Sequence, residues 1–219
     1  MHIRVNGVNL FYERQGQGQP LLLLHGNGES GGIFDVCMPE LAQHFAVYAV
    51  DSRCHGRSED PPEISYDAMA EDMIAFITAL NLEKPIFYGF SDGGIVGLLV
   101  AIKQPELLRR LIVSGANLNP QGLMPWALQE MEREYEDCPH KLTALMLREP
   151  NITSEDLRRI TVPVDVLAGE QDLIRPEHTA AIAMGIPHSH LRIIPQADHS
   201  SYIVHSRELY PILMDCIRA

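Results

Sequence analysis

At 219 residues the chain suits one domain and is long enough to bury a sizeable core. Its 46% hydrophobic and 21% charged residues are ordinary for a soluble globular enzyme. A formal net charge of −12 argues against nucleic acid or an anionic membrane surface as partner, and no apolar run approaches membrane-spanning length.

The opening residues read as a strand rather than a leader, and residues 4–7 and 9–15 form two strands around the turn signal Asn6-Gly7. The continuous apolar run 21–24 predicts a strand buried on both faces. A short helix is expected at 36–43 and a strand at 45–50. Over 66–80, Met69, Met73, Ile74, Phe76, Ile77 and Leu80 recur at helical spacing. A strand at 86–88, a helix at 92–103 and a strand at 110–114 follow.

From 117 to about 160 the rhythm breaks. This stretch holds the only tryptophan, Trp126, and two expected helices around 126–135 and 140–147. Strand 162–167, helix 176–184, strand 191–194 and helix 207–217 resume the alternation. Alternating strands and helices imply one α/β domain with a mostly parallel central sheet. The irregular stretch reads as a small helical cap over the carboxyl ends of the strands, where sites on such sheets lie.

Residues 85–101 carry the strongest chemical signal. Gly89-Phe90-Ser91-Asp92-Gly93-Gly94 stands between a buried strand and an apolar helix, which is the context of a nucleophile elbow. A serine on so tight a turn needs neighbours without side chains two residues away, and Gly89 and Gly93 meet that need. The helix start at Asp92 directs free N–H groups and a positive dipole end at the place where an oxyanion would form. Gly28-Glu29-Ser30-Gly31-Gly32 fits the same pattern, but no apolar helix starts at Ser30, which is expected to be a loop residue.

A serine hydroxyl needs a base to take its proton and a carboxylate to hold that base. Asp172 follows the strand 162–167 and His199 follows the strand 191–194, so both reach the same edge of the sheet as Ser91. Asp165 falls inside a strand, Glu170 comes early in its loop and Asp198 suits a turn. His25 is expected to brace its own loop. The widely spaced Cys37, Cys54, Cys138 and Cys216 form no Cys-x-x-Cys pair, so free thiols, no metal and a cytoplasmic setting are expected.

His25-Gly26-Asn27-Gly28, the 51–58 loop, the elbow, Gly169-Glu170-Gln171-Asp172 and Pro195 to His199 together resemble the α/β-hydrolase superfamily across almost the whole chain. Within it the sequence is similar to the cofactor-free serine esterase and C–C hydrolase branch. The chain order Ser91, Asp172, His199 is that of the superfamily. The resemblance implies a Ser91–His199–Asp172 triad, backbone oxyanion donors at Asn27 and Asp92, and no cofactor. The serine at the elbow sets it apart from the aspartate-nucleophile branch. Cys54 stands where this family commonly carries glycine, and the cap segment is shorter than usual.

The expected function is a carboxylesterase-like serine hydrolase acting on a small molecule. Two alternatives keep the same residues: a triad-retaining ligand receptor and a lyase. Met124, Trp126, Leu128 and Met131 either line an apolar acyl pocket or form the cap's own core. The Asp92 carboxylate either accepts backbone N–H groups at the helix start or faces a cationic group of the substrate. Oligomeric state is not legible in the sequence.

Overall fold

The computed structural model describes residues 1–218. Eight strands form one sheet in the order β1-β2-β4-β3-β5-β6-β7-β8. The strands are β1 (His2–Val5), β2 (Val8–Gln15), β3 (Pro20–Leu24), β4 (Ala46–Val50), β5 (Ile86–Phe90), β6 (Arg110–Ser114), β7 (Val164–Gln171) and β8 (Ser189–Asp198). Strand β2 pairs antiparallel with both β1 and β4, and the pairs from β4 across to β8 are all parallel. Parallel pairing brings the carboxyl ends of β3, β5, β7 and β8 to one edge. That single fact places residues far apart in sequence on common ground.

The core is built by strand periodicity. Successive side chains alternate between the faces of a strand. Along β3, Leu22 and Leu24 join one apolar layer while Leu21 and Leu23 join the other, all four fully buried. The first layer packs on α2 (Tyr66–Ala79) and α3 (Asp92–Lys103), through Met73, Phe76, Val96 and Val100. The second packs on α1 (Met38–Leu41) and α8 (Leu209–Arg218), through Leu41, Leu209 and Leu213. Each such side chain contributes about 1.5–3 kcal/mol by leaving water. Helix α2 begins where Ser65 Oγ accepts the Ala68 N–H at 3.1 Å, satisfying an amide that the helix cannot pair internally.

Several boundaries differ from the sequence reading. The helix expected at 36–43 shrinks to the four residues of α1. Strand β8 extends to Asp198 and β7 to Gln171, because an irregular register pairs Gln171 with Asp198 beyond Gly169. Glu170 therefore sits in a strand rather than a loop, and its Oε2 accepts the Gln196 N–H at 2.8 Å. Between β6 and β7 run α4 (Pro125–Asp137), α5 (Lys141–Arg148) and a short α6 (Ser154–Arg158), followed after β7 by α7 (Pro176–Gly185). The unpredicted α6 is set by a capping box, in which Thr153 and Asp156 satisfy each other's backbone N–H groups.

Candidate active site

Ser91, Asp172 and His199 each directly follow a strand, β5, β7 and β8 in turn. Ser91 adopts φ 52° and ψ −115°, a region that L-residues rarely occupy, with a cost on the order of 1–3 kcal/mol. Its backbone is locked there from both sides. The Ser91 N–H donates to Ser114 O at 2.8 Å, and Ser91 O accepts the Gly94 and Ile95 N–H groups. A β-carbon on Gly89 would lie 2.1 Å from Gly93 O, and one on Gly93 would lie 2.2 Å from Leu24 O. Only glycine lets strand, turn and helix approach so closely.

The side chains meet in line. His199 Nε2 lies 3.2 Å from Ser91 Oγ, and His199 Nδ1 lies 2.6 Å from Asp172 Oδ1. Asp172 is held by two backbone donors, Ile174 N–H on Oδ1 at 2.9 Å and Gly169 N–H on Oδ2 at 3.1 Å. Its side chain is 3% exposed and that of His199 14%. Nδ1 of His199 must carry its hydrogen toward the carboxylate, which leaves Nε2 free to accept a proton from Ser91.

Asn27 and Asp92 flank the serine. Among the described residues neither backbone N–H has an acceptor, whereas the neighbouring Gly26 N–H donates to Glu29 Oε2 at 2.9 Å. The loop carrying Asn27 is braced from beneath by His25. Its Nδ1 donates to Gly26 O at 2.7 Å and its Nε2 accepts the Ser52 N–H at 3.0 Å. Burial pushes the His25 imidazole down to about 3, with His55 nearby adding to the effect. The competing residues settle elsewhere. Ser30 caps a 3-10 turn through the Gly32 N–H, Asp198 accepts the Ser200 and Ser201 N–H groups, and Asp165 pairs with Arg110. Cys54 takes φ 64°, the left-handed backbone that glycine adopts most easily.

For Asp92, one of the two open readings falls. The Asp92 carboxylate makes no backbone cap bond, since Ser91 occupies the cap position. It accepts instead from Tyr66 OH on Oδ1 at 2.7 Å and from Asn27 Nδ2 on Oδ2 at 2.8 Å. Burial pushes this carboxyl above its ordinary range, and those two donors pull it back in part. The acyl-pocket set is also different. A cavity of about 240 Å³ opens on Ser91 and His199, with apolar walls from Phe90, Leu123, Met131, Met146, Leu173 and Ile174.

Met124 and Trp126 line a separate hollow behind Asp172, and Leu128 lines neither. The cause is the anchoring of α4. Met124 N–H donates to Leu173 O at 2.8 Å, so the helix starts against the Asp172 loop. The cavity is reached only by Met131, seven residues or about 10 Å further along the axis. Helix α4 buries no residue, so its apolar side chains are not a cap core either. Met146 and the carboxylates Glu29 and Glu149 complete the cavity and were not singled out from the sequence. Their signal is weak there, because an apolar residue at helical spacing resembles core and isolated carboxylates resemble solvated ones.

A mostly parallel sheet with a strained serine at the end of its central strand, aligned with histidine and aspartate at neighbouring strand ends, defines the α/β-hydrolase class of folds. The chain belongs to the alpha/beta hydrolase fold family, whose sequence model matches residues 19–147. The human serine hydrolase BPHL is 26% identical over 250 residues, a match covering 99% of this chain and 85% of that protein. A thermophilic esterase from Thermogutta terrifontis shares the fold with a TM-score of 0.84 at 24% identity, over 100% of this chain and 98% of the other. The esterase EaEST from Exiguobacterium antarcticum gives 0.87 at 20% identity, over 100% and 99%. The chain is an α/β-fold hydrolase. Among the described residues no helix is long and apolar enough to cross a membrane.

Proposed function

We propose that this enzyme is a serine esterase that cleaves a small carboxylic ester through an acyl-enzyme on Ser91, with Asp172 and His199 as its partners and no metal or organic cofactor. The observation that carries this reading is the unbroken chain Ser91 Oγ, His199 Nε2, His199 Nδ1, Asp172 Oδ1 at 3.2 and 2.6 Å.

His199 Nε2 takes the hydroxyl proton as Ser91 Oγ attacks the ester carbonyl carbon, and Asp172 stabilises the resulting imidazolium. The carbonyl oxygen gains the negative charge and is met by the N–H groups of Asn27 and Asp92. The carbon–oxygen bond to the alcohol then breaks, and the leaving oxygen takes the proton from His199. A water molecule repeats the sequence in reverse: His199 removes its proton, the hydroxide attacks the acyl carbon, and Ser91 Oγ recovers the proton on departure. A cavity of about 240 Å³, below the roughly 300–1,000 Å³ of drug-sized ligand sites, favours a short acyl group.

Chromogenic esters of increasing acyl length test the reading. Turnover should be highest for short chains, vanish in Ser91→Ala, and stop when an organophosphonate labels Ser91. A chelator should leave it unchanged. Ligand binding without turnover in the intact enzyme would support the receptor alternative, and cleavage of a cyanohydrin in preference to esters would support the lyase.

A further inference from the structure

Asp92 carries a fully buried carboxylate beside the nucleophile, yet no step of the proposed chemistry uses it. An anion there opposes the negative charge that develops on the substrate oxygen, so its presence needs a reason. Its two oxygens are engaged separately, Oδ1 by Tyr66 OH and Oδ2 by Asn27 Nδ2. The partner is telling. Asn27 and Asp92 are the two residues whose backbone N–H groups stand unpaired next to Ser91 among the described residues.

The two amides have different support. That of Asp92 opens α3 and is fixed by the helix. That of Asn27 lies in a loop between β3 and a 3-10 turn, followed by the exposed Gly28 at φ 72°. Among the described residues, the hydrogen bonds of Asn27 are the side-chain contacts with Asp92 and, more loosely, with Leu142 O at 3.4 Å. Oxyanion donors act only when held at about 2.7–3.1 Å from the charged oxygen. A loop amide left to itself does not keep that aim.

We propose that the Asn27–Asp92 side-chain bond is a staple that fixes the spacing and direction of the two oxyanion N–H groups, making both side chains positioning residues. The proposal rests on the serine esterase reading. Tyr66 completes the device, because its hydroxyl holds Asp92 from the opposite side while its backbone N–H donates to Glu149 Oε2 at 2.9 Å. The oxyanion loop and α2 therefore converge on one carboxylate, and the segment after α5 anchors Tyr66.

The test reverses the polarity of the staple. Assayed at alkaline pH, where the two carboxyl groups do not share a proton, Asn27→Asp alone sets two carboxylates against each other. Adding Asp92→Asn restores one donor facing one acceptor, and the new amide oxygen still accepts from Tyr66. Asn27→Asp should lower kcat by about ten- to a hundredfold, short of the about 10²–10³ that removing a donor outright costs. KM should stay within about twofold, and affinity for a boronic acid that mimics the tetrahedral intermediate should fall in step with kcat. The double variant should recover kcat to within about threefold of wild type, on neutral and amine-bearing esters alike.

Asn27→Leu, which has a similar shape and no donor, should lose kcat as Asn27→Asp does. Wild-type kcat in either single variant overturns the staple, and so does a double variant that melts like wild type but is no faster than Asn27→Asp. Recovery on neutral esters supports the staple, and a loss that persists only on amine-bearing esters gives Asp92 cation recognition besides. If the double variant fails to fold, Asn27→Leu decides. If an organophosphonate does not label Ser91 in the wild-type enzyme, the esterase reading fails and takes the staple with it.

Discussion

A β-carbon on Gly115 would stand 2.5 Å from Cε1 and 2.8 Å from Nδ1 of His199. The imidazole rests on a backbone that has no side chain to offer. Gly115 follows β6, adopts φ 61°, and is fixed by its N–H donating to Leu167 O at 3.0 Å. The ring also meets Phe90, with ring centres 4.9 Å apart and the planes tilted by 46°. The His199 imidazole is therefore set in a slot between two strand ends.

Gly115→Ala should displace the ring and lower kcat by about a hundredfold, the loss expected when a reacting group moves by about 1 Å. It should also lower the melting temperature, since alanine strains at this φ. Steady-state ester hydrolysis and a thermal melt check both. A variant with wild-type kcat would show that the ring has room to spare.

Much of this architecture is legible in the sequence. The apolar runs at β3, β4 and β5, and the glycines around Ser91, dictate their structures locally, because buried parallel strands and a steric elbow need particular residue types. The strand-end positions of Asp172 and His199 follow from the same alternation. What escapes is whatever depends on register or anchoring between distant segments. The extension of β7 and β8 comes from an irregular pairing that no local pattern encodes. The anchoring of α4 at Leu173 decides that Met131, not Met124 or Trp126, faces the cavity. The partners of the Asp92 carboxylate, Tyr66 and Asn27, lie 26 and 65 residues away, so no local pattern decides between the two readings of that side chain.

Ester hydrolysis should fall as the pH is lowered, because only neutral His199 accepts the proton from Ser91. A profile of kcat/KM against pH, recorded where circular dichroism shows the fold intact, reads this directly. A rate that does not fall with acid while the fold stays intact would exclude His199 as the base.

Arg53 and Asp72 form a buried two-pronged ion pair, with both N···O distances at 2.6 Å and side chains 10% and 2% exposed. Asn6 Nδ2 adds a third donor to Asp72 at 2.8 Å. The pair ties the loop after β4 to α2 and to the first hairpin. Asp72→Ala leaves a guanidinium buried without its partner and should destabilise the fold by about 3–5 kcal/mol. Urea denaturation at neutral pH measures it. A loss under about 1 kcal/mol, the range of exposed pairs, would show that Arg53 finds water instead.

The last prediction concerns His25, which is 1% exposed. Its Nε2 accepts the Ser52 N–H, so a proton there removes the acceptor and places two hydrogens face to face. Its folded pKa of about 3 lies below the ordinary value of 6.5. Between those values the unfolded chain binds a proton that the folded chain refuses, so stability rises with pH across this window and falls as acid is added. The contribution is complete above about pH 6.5 and is lost progressively toward pH 3. From this residue alone, unfolding free energy should be about 2 kcal/mol lower at pH 5 than at pH 7. As acid is added, the buried Asp92 and the half-buried Glu29, whose carboxyls are raised by burial, act in the opposite direction by holding protons in the folded state. Urea unfolding at pH 7, 6 and 5 gives the slope, and the His25 ring resonances should stay in their neutral positions throughout. A ring that titrates near pH 6.5, or stability that does not decline between pH 7 and 5, would show that the brace beneath the Asn27 loop tolerates charge.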